Sequence, residues 1–239
     1  MRRSSKLGLR PLAEIAAAAL SCFSQRGYRL TQMSDVGAEL RMSPTAAYRY
    51  VESKEALFHV AAMHAAGRPL DDLELPVTGA SLEATVESVA AIVRAWPRWP
   101  TLHGALSRRA APRDLDREAE AVATELFDFL AERWRMIVLL DRTADDLPSL
   151  KSAFAQDYRA PYLADLVAWF GRRSGRHAHA VPVEAMARAG VESISWLAMR
   201  RRVDAQAQAI AEDDARRVAS RTFAALLAEA RRHDSFEER

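Results

Sequence analysis

The chain has 239 residues, of which 49% are hydrophobic and 28% charged, enough apolar material for one sizeable helical unit or two small ones. No run of about 18 uncharged apolar residues occurs, so no membrane-spanning helix is expected. A single cysteine, Cys22, excludes an intramolecular disulfide framework and a cysteine-based zinc cluster. Net charge is only +2, but residues 1–60 hold nine Lys/Arg against five Asp/Glu, and residues 61–239 hold 25 against 27, so positive charge collects at the N-terminal end.

Arg2, Arg3, Lys6 and Arg10 form a basic arm over 1–10 that either follows the DNA minor groove or backbone or is merely solvated. Together with the small apolar residues from Ala16 to Cys22 the arm imitates a secretion signal. Glu14 interrupts that run, however, and a helical stripe explains the same residues better. Leu12, Ile15, Ala16, Ala19, Leu20 and Phe23 recur at helical spacing, and Gly27 supplies a stop. Thr31 is a candidate N-cap for a short helix over 32–40 whose apolar positions are Met33, Val36, Gly37 and Leu40.

Arg41 and Met42 form a turn. Ser43 followed by Pro44 starts a second helix, over 44–50, since serine accepts from an orphan amide and proline suits the first helical position. Two short helices across a tight turn are the layout of a helix-turn-helix, with the second as the reading element. Its outward residues are Pro44, Thr45, Tyr48 and Arg49. Ser53 then caps a third helix beginning at Lys54, and amides at a helix N-terminus beside a lysine suit a phosphate.

Gly27-Tyr28, Thr31, Asp35-Val36, Ser43, Tyr48 and the run Tyr50-Val51-Glu52-Ser53-Lys54-Glu55-Ala56-Leu57 resemble the N-terminal signature of the tetracycline-repressor (TetR) family. The resemblance covers residues 9–60. Thr45, Ala47, Tyr50, Gly37 and Arg41 depart from the residues common at their positions, which bears on operator sequence and turn geometry. The resemblance implies an all-α protein with an N-terminal three-helix DNA-binding domain over 1–60 and a C-terminal helical effector-binding and dimerisation domain over 61–239. Its partners would be double-stranded operator DNA, a second copy of the chain and a small-molecule effector. The expected DNA-binding set is Thr31, Gln32, Ser34, Ser43, Pro44, Thr45, Tyr48, Arg49, Tyr50 and Lys54. Thr31, Lys54 and the Tyr48 hydroxyl are assigned to phosphates, and Pro44, Thr45 and Arg49 to base edges.

After a helix to Ala66, the breakers Gly67, Pro69, Pro76 and Gly79 mark a loop. Helices are then predicted over 81–95, 101–110, 114–140, 150–170, 182–203 and 207–230, with no period-two strand pattern. Trp96, Trp99, His103, Phe127, Leu130, Trp134 and Tyr158 are the effector-pocket candidates. Phe127, Leu130 and Trp134 share a helix face, whereas Phe129 points to another side. These side chains suit an apolar, ring-bearing ligand, with Arg98, Arg133 and Arg135 available to an acidic group on it.

Tyr162, Leu166, Trp169, Met186, Gly190, Ile194 and Leu197 line apolar faces on the two helices over 150–170 and 182–203. They serve either as intrachain core or as a four-helix dimer interface, and the resemblance favours the dimer. His177 and His179 have ligand-like spacing but follow an arginine-rich loop sequence, so no metal and no cofactor is expected. No G-x-S-x-G, phosphate-loop, dinucleotide or H-E-x-x-H motif occurs, so an enzyme is not expected. The reading is a cytoplasmic, ligand-responsive regulator, a repressor released from a palindromic operator. The alternative is a DNA-binding structural or partner-protein module without a small ligand.

Overall fold

The computed structural model describes residues 10–43, 45–175, 183–204, 206–207 and 209–232. Arg2, Arg3, Lys6, Pro44, His177 and His179 lie outside them. Ten α-helices are present among the described residues, and β-pairing there is confined to an isolated parallel bridge between Val51 and Val77. Contacts divide the chain into two compact units, residues 1–96 with 135–156 and residues 97–134 with 157–239.

In the first unit the predicted stripe of α1 (Leu12–Leu30) is buried at all six positions, Leu12, Ile15, Ala16, Ala19, Leu20 and Phe23. It packs on α3 (Lys54–Ala65), where Phe58 meets Phe23 at 5.1 Å between ring centroids and Tyr28 at 5.2 Å, both edge to face. Burying such a ring contributes about 2 kcal/mol, with about 1 kcal/mol more from the ring geometry. Between them lie α2 (Met33–Glu39) and a short 3-10 turn, Ala46–Arg49. The unit is completed by α4 (Leu82–Arg94), capped by the Ser81 hydroxyl, and by α7 (Pro148–Lys151) packed on it.

The long helix α6 (Leu115–Thr143) supplies residues to both units. In the second unit it joins α5 (Pro100–Ser107), α8 (Ala160–Ser174), α9 (Val183–Ala198) and α10 (Glu212–Arg232). The segment predicted as one helix over 150–170 is instead α7, a π-helical stretch Ser152–Arg159, and α8. Proline explains the joint: Pro161 cannot donate to the ladder, so the backbone before it takes a wider turn.

Glu118 is the polar centre of this unit. Its carboxylate accepts from Arg173 Nε at 2.7 Å, from the Trp169 indole at 3.0 Å and from Arg108 at 2.6 Å, while Arg173 also donates to the Ala105 carbonyl at 2.8 Å. Burial by itself would raise the Glu118 pKa, but the donors from Arg173, Arg108 and Trp169 outweigh it and hold the carboxyl below its ordinary range. With the Glu118 and Arg173 side chains only 4% and 3% exposed, removing either partner would strand a buried charge, at a cost of about 3–5 kcal/mol.

The seven residues expected at a dimer interface are instead intrachain core. Tyr162, Leu166, Trp169, Met186, Gly190, Ile194 and Leu197 are all buried within a single chain. Trp169 stacks on Phe223 of α10 at 5.8 Å, and a Cβ added at Gly190 would stand 2.6 Å from the Phe223 ring. The largest apolar side chains of α8 and α9 therefore face the chain's own third helix, where burial per residue is greatest. Gly190→Ala should lower stability by about 1–3 kcal/mol through overpacking against Phe223, read as a drop in Tm with the oligomeric state unchanged.

Candidate nucleic-acid interface and effector cleft

The reading elements are set by a break in α1. Gly27 adopts φ 82° and ψ 175°, which interrupts the helix one turn before its end, and a Cβ there would lie 2.9 Å from Asp146 Oδ2 and 3.3 Å from the Arg142 carbonyl. Asp146 accepts the Arg29 N–H at 2.9 Å, and Arg142 Nε donates to the Gln25 carbonyl at 3.0 Å. Thr31, expected to cap α2 and hold a phosphate, is fully buried and does neither. Its hydroxyl donates to the Gly27 carbonyl at 2.7 Å and closes the break from inside. The cap of α2 is Gln32, whose N–H donates to Asp35 at 2.8 Å.

The turn after α2 places Arg41 at φ 54°, a conformation that suits glycine better, with the Met42 N–H bonded to the Gly37 carbonyl at 2.8 Å. The element over 44–50 is shorter than expected. Only Ala46–Arg49 form a helical turn, of 3-10 type, because the Tyr48 N–H already bonds the Thr45 carbonyl and Tyr50 leaves the helix. Ala47 is buried, while Ser43, Thr45, Tyr48 and Arg49 are exposed, as are Gln32 and Ser34 at the start of α2. Tyr48 is 52% exposed, high for an aromatic side chain.

Tyr50 departs from the expected DNA-facing set. It is buried, and its hydroxyl accepts the Arg10 N–H at 2.9 Å, anchoring the base of the N-terminal arm to the reading turn. Ser53 caps α3 by accepting the Ala56 N–H at 3.1 Å. Lys54 stands 4.7 Å over the Tyr28 ring and donates to the Arg29 carbonyl at 3.0 Å. Its pKa is lowered, burial being the largest cause. The ammonium is thus held in one place at the N-terminus of α3 instead of sweeping through solvent.

In the second unit the start of α5 and the middle of α6 enclose a cleft of about 490 Å³, lined by Pro97, Trp99, Pro100, Thr101, Ala121, Thr124, Glu125, Asp128, Phe129, Glu132 and Arg133. Ligand pockets commonly span about 300–1,000 Å³. Within the lining Trp99 meets Phe129 at 4.6 Å, and behind it Trp99 meets Tyr162 at 4.2 Å and Tyr158 at 5.6 Å. The Tyr158 hydroxyl donates to the Pro97 carbonyl at 2.6 Å, and burial pushes its pKa upward, so it stays a neutral phenol. Trp99 has φ 28°, a strained value for a bulky residue, immediately before Pro100 at the first turn of α5.

Of the seven expected pocket residues, Trp99 lines this cleft and Tyr158 supports it. Trp96 belongs to the first unit, edge to face with Phe154 at 6.2 Å. His103 is exposed and bonds Asp165 at 2.9 Å, Phe127 and Leu130 are core, and Trp134 is half-buried outside the lining. Phe129, placed on the other side of the helix by its spacing, is the α6 aromatic that lines the cleft. The acidic residues were overlooked in the sequence, although Glu125, Asp128 and Glu132 fall at i, i+3 and i+7 and so share one face of α6 with Phe129. Of the arginines offered to an acidic ligand, only Arg133 is in the lining.

Residues 15–61 match the family model of bacterial regulatory proteins of the tetR family. They cover most of α1, all of α2 and the 3-10 turn, and most of α3, the stretch that contains Gln32, Ser34, Ser43, Thr45, Tyr48, Arg49 and Lys54. The match defines a helix-turn-helix segment over residues 15–61 that is similar to the DNA-binding part of tetR-family regulatory proteins. A crystal structure of a protein from Mesorhizobium loti MAFF303099, described as a TetR-family transcriptional regulator, aligns with 96% of this chain and 98% of its own. Its identity is 18% and its TM-score 0.44, too distant a likeness to bear on the site. No curated protein matches the chain. No helix among the described residues is long and apolar enough to cross a membrane.

Gly27→Ala should cost about 1–3 kcal/mol, since it combines a left-handed backbone with a clash on the Asp146 carboxylate. The measurement is the midpoint of thermal unfolding, and a variant as stable as the parent would show that the break does not depend on glycine.

Proposed function

We propose that this protein is a homodimeric repressor that holds a palindromic operator until an effector enters the α5–α6 cleft. The observation that carries the reading is the pairing of an exposed reading turn, with Ser43, Thr45, Tyr48 and Arg49 outward, with a separate aromatic-walled cleft of ligand size in the other unit. In the DNA complex Lys54, the α3 N-terminus and the Tyr48 hydroxyl would hold phosphates, while Thr45 and Arg49 would face base edges. A tethered ammonium costs little ordering entropy on binding, so Lys54 suits the positioning role.

Two copies are needed to read two half-sites. With the large side chains of α8 and α9 committed to α10, the outer strip of the same pair, with Leu163, Ala164, Val167 and Ala168 beside Glu184 and Arg188, is the better candidate for the two-fold contact. The short side chains of Ala164, Val167 and Ala168 let helices approach closely there. Helix α6 is the element suited to carry the effector signal, because residues 125–133 line the cleft and Arg142 bonds the backbone of α1. The effector would shift the population toward a spacing of the two heads that does not fit the operator, which requires it to bind that state more tightly.

DNA binding is tested by titrating operator DNA at several salt concentrations. Lys54→Ala should weaken binding to all sequences alike and reduce the salt slope by about one per half-site. Thr45→Val should change the preferred base at one position of each half-site with the slope kept. Unaltered affinity, slope and base preference in both variants would move the reading head elsewhere. For assembly, Val167→Glu should give monomers by sedimentation and lose operator binding, since an unpaired charge cannot be buried at a helix contact. A Val167→Glu dimer of parent mass would place the interface on another face.

A further inference from the structure

The geometry points to Asp146 as a positioning residue for DNA binding, one that fixes Lys54 through the backbone of Arg29. The inference rests on the reading of Lys54 as a phosphate contact and adds the residue that puts it there. Asp146 lies in the short joint between α6, which ends at Thr143, and α7, which begins at Pro148. Its own N–H donates to the Thr143 carbonyl at 3.0 Å, and the Leu147 and Leu150 side chains that follow are buried, so the joint is anchored on both sides.

Two hydrogen bonds meet on one residue. Asp146 Oδ2 accepts the Arg29 N–H at 2.9 Å, and the Arg29 carbonyl accepts from Lys54 Nζ at 3.0 Å. The carboxylate reaches that amide because Gly27 has no side chain: a Cβ there would stand 2.9 Å from the same Oδ2. A bond from a backbone N–H to a carboxylate is stronger than one between neutral groups, so it holds Arg29, and with it the carbonyl that Lys54 uses. The Tyr28 ring, its centre 4.7 Å from the ammonium, is the second support. The guanidinium of Arg29 plays no comparable part, being 84% exposed and 4.0 Å from Asp146.

Charge alone argues against an acid at this place. A carboxylate beside a cation that holds phosphates repels the same phosphates, and this would favour its absence from a DNA-binding head. Three acids, Glu55, Asp146 and Asp35, favour the charged form of Lys54 against its burial. Glu55 is bonded to the Tyr28 hydroxyl at 3.4 Å, and Asp35 to the Gln32 N–H and to Arg26. Asp146 differs from both in being bonded to the residue that carries the Lys54 acceptor.

The test selects a duplex from a randomised pool on the immobilised full chain, then titrates it and a scrambled duplex of equal length at several salt concentrations. Asp146→Ala should weaken both duplexes about tenfold and lower the salt slope by about one per half-site, the signature of a lost phosphate contact. In the Lys54→Ala background the same substitution should change affinity by less than about twofold, because the group through which it acts is gone. Asp146→Asn keeps an acceptor oxygen for the Arg29 N–H and should recover most of the affinity lost in Asp146→Ala. If Asp146→Ala does not fold by circular dichroism, Asp146→Ser, whose hydroxyl is too short to reach the amide, takes its place. Affinity equal to or above that of the parent would show a plain repulsive charge, and an equal loss with and without Lys54 would show a general disturbance of the head. Either result overturns the proposal, as does an Asp146→Asn variant no tighter than Asp146→Ala. The Lys54→Ala single variant separates the two readings. If it binds both duplexes as the parent does, the phosphate role of Lys54 falls and the positioning role with it. If it loses affinity without coupling to Asp146, the phosphate role stands and the positioning role alone is removed.

Discussion

The backbone at Gly27 is the constraint on which the DNA-binding head depends. A helix of 19 residues with an uninterrupted apolar face would normally continue straight, but here the positive φ of Gly27 turns its last residues aside. The exposed ends of that break are closed by three separate bonds, the Thr31 hydroxyl to the Gly27 carbonyl, the Asp146 carboxylate to the Arg29 N–H, and Arg142 to the Gln25 carbonyl. Backbone groups freed by a break must find partners or lose their hydration without compensation. The partners chosen set where α2 begins, and with it the positions of Gln32 and Ser34. They also bring the Arg29 carbonyl to Lys54, so the cation that stands at the start of α3 is placed by the same turn.

The second unit answers a different demand. Here a carboxylate, Glu118, is taken out of water and made tolerable by three donors from α8 and the segment after α5. Such a network fixes which faces of the helices meet, since a rotation of α8 by one position would leave a buried charge unpaired. With that rotation fixed, Trp169 and Phe170 turn toward Phe223 of α10, and the shorter side chains Ala164, Val167 and Ala168 are left outward. The same orientation brings Tyr162 against Trp99, so the aromatic wall of the cleft follows from the buried ion pair. Backbone strain at Trp99 is concentrated at this wall, where its indole N–H is also buried with no acceptor among the described residues.

Much of the head was legible in the sequence because its signals are local. Helical spacing located α1, serine located the cap of α3, and the order of motif residues located the turn. Thr31 and Tyr50 were misplaced because a hydroxyl's preference for capping or for phosphate says nothing about competing partners elsewhere in the fold. The carbonyl freed at Gly27 and the Arg10 amide claimed those two hydroxyls.

The sequence by itself determined the all-α class, the helix-turn-helix, and the apolar faces of α8 and α9, because each is encoded by periodicity and capping within a few residues. Only the tertiary structure decided which apolar face is core and which is left for a partner, and which aromatic of α6 lines a cleft. Phe127 and Phe129 are two residues apart on one helix and equally apolar. The neighbours that distinguish them, Trp99 and Tyr158, come from positions about thirty residues away on either side, and no local pattern specifies such a meeting.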